Sequence, residues 1–89
     1  MKSVTTKRFR KSFEKLPKDV QQRAISAYQL WKQNPHHTGL HFKQVDVQPP
    51  VYSVRVGLSY RALGVKDKNT MIWFWIGSHE DYNKLVSRI

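Results

Sequence analysis

The chain has 89 residues, with 16 Lys and Arg against 6 Asp and Glu, a formal net charge of +10 and no cysteine. That length allows one compact domain, 1–89, whose small size demands an efficient core, and the missing thiols exclude a disulfide framework, a thiolate metal site and cysteine redox chemistry. No stretch approaches the roughly 20 apolar residues of a membrane span, so a cytoplasmic protein is expected, and its positive field fits nucleic acid, an anionic membrane surface or an acidic protein.

After a short strand at Lys2 to Thr5, the residues Phe9, Phe13 and Leu16 recur at helical spacing and leave Arg8, Lys11 and Lys15 on other faces. Pro17 suits the first turn of a second helix, with Asp19 near its positive end. The apolar face resumes at Val20, Ala24, Ala27, Tyr28 and Trp31. Asn34-Pro35 ends the helix, because a residue before proline is pushed from helical angles.

From Leu40 the period changes to that of a strand, with Leu40 and Phe42 alternating against His41 and Lys43 and continuing through Val47 to a turn at Gln48-Pro49-Pro50. Val51 to Val56 puts Tyr52, Val54 and Val56 on one face and Ser53 and Arg55 on the other, so Arg55 is expected opposite the helices. Gly57-Leu58-Ser59 links to a strand from Tyr60 to Val65, and Lys66-Asp67-Lys68-Asn69 turns the chain again. Met71 to Ile76 is apolar throughout, as suits a strand covered on both faces or one whose outer face meets another molecule. Ser78 is an N-cap candidate for a short helix from His79 to Val86. The expected fold is α+β: two N-terminal helices on a mainly antiparallel sheet of four to five strands, then a short C-terminal helix. The sheet's other face is expected to line a concave basic surface.

RNA can be cut without a metal when its own 2′-hydroxyl attacks the adjacent phosphorus, which needs a proton acceptor, a proton donor and cations around the developing charge. Arg55 and Arg61 can grip phosphate bidentately, His79 can move a proton near neutrality, and Tyr82 lies three residues after it, on the same side of a helix. Arg61 opens one strand, His79 follows its aromatic neighbour and Arg55 precedes the turn between, so the three converge. Lys43 and His41 form a second pair for phosphate binding or proton transfer, with a solvated face as the alternative. Glu80 and Asp81 could orient the His79 ring or accept a proton themselves, but acidic residues in a first helical turn are favoured by the helix dipole in any case, and that structural reading is preferred. Lys7, Arg10 and Lys11 belong to a solvated helix face that also steers phosphates. Most of Tyr52, Tyr60, Trp73 and Trp75 are expected in the core, with base stacking reserved for any on the outer face. His36 and His37 lack partner spacing for a metal, and neither metal nor cofactor is expected.

At these residues the chain resembles the RelE/ParE superfamily of bacterial toxins from toxin–antitoxin pairs. The likeness runs through Phe9-Arg10-Lys11-Ser12-Phe13, Leu16-Pro17, Asn34-Pro35 and Gly39-Leu40-His41-Phe42-Lys43. It is most specific in Tyr52-Ser53-Val54-Arg55-Val56-Gly57 followed by Tyr60-Arg61-Ala62-Leu63, and it closes on Gly77-Ser78-His79 and Tyr82. The resemblance implies a microbial RNase-like domain that, in the RelE branch, enters the ribosomal A site and cuts messenger RNA without metal. Arg61 would then stabilise phosphate, His79 would serve as acid or base with Tyr82 nearby, and Arg55 and Lys43 would be supporting cations. The chain departs from the lysine-rich RelE set, with one lysine from Leu40 to Val47 and no glutamate base there. The resemblance also implies a small acidic antitoxin as partner; the free protein is expected to be a monomer, with its oligomeric state otherwise open. Two other functions fit the same superfamily: a ParE-like, non-catalytic inhibitor of DNA gyrase, or a solitary member that binds RNA or protein without cutting.

Overall fold

The computed structural model describes residues 2–46 and 48–87. Its elements are β1 (Lys2–Thr5), α1 (Lys7–Glu14), α2 (Lys18–Gln33), β2 (Lys43–Asp46), β3 (Val51–Val56), β4 (Tyr60–Asp67), β5 (Thr70–Ser78) and α3 (His79–Val86). The strands form one five-stranded sheet in the order β1-β5-β4-β3-β2. β1 runs parallel to β5 and every other neighbouring pair is antiparallel, the α+β arrangement that the pattern implies.

Local chemistry sets the helix limits. The Thr6 hydroxyl accepts from the Phe9 amide at 3.0 Å and caps α1. At the corner between α1 and α2, Gln21 Nε2 donates to the carbonyls of Phe13, Glu14 and Leu16 at 3.2, 3.2 and 3.0 Å, adding a side-chain donor to the carbonyls at the helix end. Pro17 is the N-cap of α2, and Asn34, forced out of helical angles by Pro35, adopts φ −151° and ends it. The Ser78 hydroxyl accepts from the Asp81 amide at 3.1 Å and opens α3.

α1 and α2 cover one face of the sheet. Trp31 and Trp73 meet edge to face there, with ring centroids 5.2 Å apart, among Leu40, Val54, Val56, Ala62, Met71 and Ile76. α3 covers the other face through Tyr82, which packs with Val51 and Leu63, and half-buried Trp75 and Leu85 surround them. β5 is therefore the strand covered on both faces, which accounts for its unbroken apolar run. The expected open concave face is accordingly reduced to the end of the sheet beyond α3. Tyr82, Leu85 and Val86, at spacings of three and four, are the apolar stripe that closes the rest.

The pattern also extends β2 too far. Thr38–Leu40 forms a 3₁₀ turn, His41 follows in the left-handed region at φ 45° and ψ 44°, and the strand begins only at Lys43. Leu40 and Phe42 point inward as alternation requires, but they do so from a turn, because the buried Leu40 must reach under Trp31 before pairing with β3 starts. Val47 lies outside the described residues.

A bulge between Leu63 and Gly64 pairs them with Trp75 and Trp73, leaving Phe74 unpaired. It lets β5 send Trp73 to the α1–α2 side and both Phe74 and Trp75 to the α3 side. Gly64 makes this possible by close approach: a Cβ there would lie 2.8 Å from Met71 Sδ and 2.8 Å from the Trp73 ring. Gly64→Ala is expected to lower unfolding free energy by about 1–3 kcal/mol through overpacking, read as an earlier midpoint in urea with an unchanged slope.

Candidate functional site

The β3–β4 hairpin brings the two strand arginines together, since its register sets Arg55 directly opposite Arg61. Like charges in that position repel, so the pairing costs stability. Gly57, at φ 63°, begins the three-residue loop that closes the hairpin, a backbone angle that glycine adopts without steric cost. The loop is tied at both ends of the site: Arg55 Nε donates to the Gly57 carbonyl at 2.9 Å, and the His79 amide donates to the Ser59 carbonyl at 2.7 Å. The first residue of α3 is thereby held against the arginines.

Arg61 is the most enclosed of these groups, 5% exposed. Its Nε donates to the Ser53 hydroxyl at 2.7 Å and its Nη2 to the His41 carbonyl at 3.2 Å. The guanidinium lies over the Tyr82 ring, 5.0 Å from the centroid. Burial pushes its pKa below the usual arginine range; Tyr82 opposes that shift and the neighbouring Arg55 adds to it. The group stays charged at physiological pH all the same. A nearly buried cation facing a second cation is costly unless an anion joins them.

His41, Arg55, Leu58, Tyr60, Arg61 and His79 line a pocket of about 240 Å³. Among the described residues, no carboxylate lines it. Arg55 Nη1 lies 3.5 Å from His41 Nε2, and both imidazoles are exposed to solvent. Among the described residues, no three His, Asp or Glu side chains are grouped to hold a metal ion, and no helix is long and apolar enough to cross a membrane.

Arg55, Arg61, His79 and His41 thus come together from four separate segments. Tyr82 lies beneath them, 5% exposed, with its ring 5.8 Å from that of His79. Lys43 is exposed on β2, opposite Ser53 but outside the pocket lining. Lys7, Arg10 and Lys11 are on α1, across the sheet from the pocket, where Arg10 Nη1 donates to the Thr5 carbonyl at 2.6 Å. Glu80 and Asp81 occupy the first turn of α3, and Glu80 pairs with Lys84 at 3.9 Å. Trp73 is buried and Tyr52 stacks on Phe42 at 5.0 Å, both on the helix side, while Tyr60 reaches the pocket wall. Ser53, the anchor of Arg61, lies on the arginine face by strand alternation, but a serine in a strand carries no signal of its own for that role. Leu58, at 76% exposure the most open apolar side chain at the rim, had no sequence signal.

Residues 18–84 match the family model of the ParE-like toxin domain. No curated protein matches the sequence. Among solved structures, the chain is similar to the RelB–RelE antitoxin–toxin complex from Methanococcus jannaschii, at 17% identity and a TM-score of 0.72 over 92% of this chain and 96% of that one. It is similar to the archaeal RelE–RelB complex from Pyrococcus horikoshii at 15% identity and a TM-score of 0.71, covering 86% of this chain and 92% of that one. The isolated E. coli RelE toxin aligns over 98% of this chain and 96% of its own, at 16% identity and a TM-score of 0.64.

Proposed function

Because this chain belongs to the ParE-like toxin domain family, we propose that it is the toxin of a toxin–antitoxin pair and that its pocket cleaves ribosome-bound messenger RNA without a metal. The observation that carries the proposal is Arg61, a nearly buried cation set against Arg55, with two imidazoles and no carboxylate on the pocket wall. Such a site awaits an anion that also exchanges protons. A phosphodiester undergoing attack by its own 2′-hydroxyl is that anion: charge accumulates on the phosphoryl oxygens, and the two guanidiniums match it bidentately. Hydroxyl attack forms a 2′,3′-cyclic phosphate and releases a 5′-hydroxyl.

The antitoxin half of the proposal has support of its own. The relatives from M. jannaschii and P. horikoshii are complexes of toxin with antitoxin, and a net charge of +10 suits an acidic partner. A second cavity, about 590 Å³, opens between α1, α2 and the sheet, where Ile25 and Tyr28 remain 42% and 37% exposed. An apolar segment of an acidic antitoxin would cover it.

Induced expression should arrest growth and leave translated messages with new ends inside their reading frames, while DNA supercoiling by gyrase proceeds at its normal rate. Growth arrest with intact messages and failed supercoiling would instead identify the gyrase inhibitor. RNA affinity with neither effect would identify the solitary, non-cutting member.

A further inference from the structure

Resting on the ribonuclease proposal above, we infer that His41 is the general base of the reaction and that His79 is its acid, a two-imidazole arrangement in which Arg61 fixes the base as well as gripping the phosphate. His41 supplies a proton acceptor at a pocket where, among the described residues, two histidines and no carboxylate form the lining.

Three features of His41 carry it. Its backbone occupies the left-handed region at φ 45°, which few residues with a side chain adopt and which histidine, asparagine and aspartate tolerate best; it turns the chain so that the ring stands at the pocket. Its carbonyl accepts from Arg61 Nη2 at 3.2 Å, so the most enclosed cation of the site sets where the imidazole stands. Its Nε2 faces Arg55 Nη1 at 3.5 Å. A guanidinium only donates, so wherever this contact forms Nε2 is its acceptor, the form in which an imidazole can take a proton. At 3.5 Å the contact is long and weak. A phosphate drawn between the arginines takes over that donor and leaves the Nε2 lone pair to the 2′-hydroxyl.

The step balances. His41 Nε2 takes the 2′-hydroxyl proton as the O2′–P bond forms. The P–O5′ bond breaks, and protonated His79 gives its proton to the departing 5′-oxygen. Both rings finish in the opposite protonation state and are reset through solvent, to which both are exposed. The groups facing them are Arg55 on β3, Tyr60 and Arg61 on β4, and Tyr82 on α3, with exposed Glu80 and Asp81 adjoining His79 on the first turn of α3.

The test uses the full chain and translating ribosomes. His41→Asn keeps a residue that tolerates the left-handed backbone, so its melting temperature should stay within a few degrees of wild type. Its kcat should fall by about 10²–10⁴-fold with KM little changed, and the acidic limb of the pH–rate profile should vanish. His79→Gln should instead remove the basic limb. His41→Gly, which opens the ring's place, should recover rate on addition of free imidazole. If His41→Asn cleaves as fast as wild type, His41 is not the base and the ribonuclease proposal stands without it. A slower His41→Asn that keeps both limbs, or a His41→Gly that imidazole does not rescue, reduces His41 to a structural role. A wild-type chain that fails to cut translated message overturns both proposals together.

Discussion

Arg61→Ala should lower the rate of message cleavage by about 10²–10³-fold, the usual cost of removing one donor aimed at developing negative charge. The loss should appear in kcat, because Arg55 remains to bind the ground-state phosphate while the charge that grows during attack loses its strongest counterpart. Arg61→Lys should recover little: one ammonium cannot reach the Ser53 hydroxyl and the His41 carbonyl, as Nε and Nη2 do at 2.7 and 3.2 Å, and still present a planar fork to phosphate. Stability should move far less, by about 2 kcal/mol or under, since the loss of those hydrogen bonds is offset by relief of a buried cation paired with a like charge. Single-turnover cleavage and urea denaturation of the same variants separate the two quantities. An Arg61→Ala protein that melts normally and cuts at the wild-type rate would remove Arg61 from the site.

Tyr82→Ala should be severely damaging to stability, costing about 3–5 kcal/mol as a buried aromatic side chain truncated to a methyl group. Tyr82 is 5% exposed and joins α3 to Val51 and Leu63; its ring also supports the Arg61 guanidinium. A small domain holds about 5–15 kcal/mol in total, so this variant is expected to be partly unfolded at growth temperature. Tyr82→Phe keeps the ring beneath the guanidinium and removes only the phenol oxygen that also favours its charged form, and it should retain cleavage within a few-fold of wild type. That pair distinguishes a ring beneath the site from a phenol that contacts RNA. A loss of two orders of magnitude in Tyr82→Phe with an unchanged melting temperature would give the hydroxyl a direct catalytic part.

Where short-range chemistry decides the outcome, the sequence was a sound guide. Thr6, Pro17, Asn34 and Ser78 mark element ends through capping or restricted angles. Period-two alternation put Arg55 across the sheet from the helices, and the hairpin length then sets it opposite Arg61. His41 shows where that guide stopped. Alternation read it as a strand residue, whereas its left-handed backbone depends on Leu40 reaching the core and on Arg61 taking its carbonyl from 20 positions away. The outer face is less open than the strand patterns imply for a related reason: they describe each strand alone, and the stripe that covers β4 and β5 belongs to α3. Tyr82 was correctly placed beside His79 as a helix neighbour, but spacing along a helix carries no information about depth, and depth makes it a floor.

The left-handed turn at His41 also bears on how this lineage can change. Asn and Asp adopt that backbone readily, and each is one nucleotide substitution away from either histidine codon. Either replacement would keep the carbonyl that Arg61 needs while removing the imidazole. On the ribonuclease proposal, a gene under pressure to lose a harmful activity would thus have a single-step route to a folded, non-cutting descendant. Chains that differ at this position by Asn or Asp, and retain both arginines, would be the record of that route having been taken.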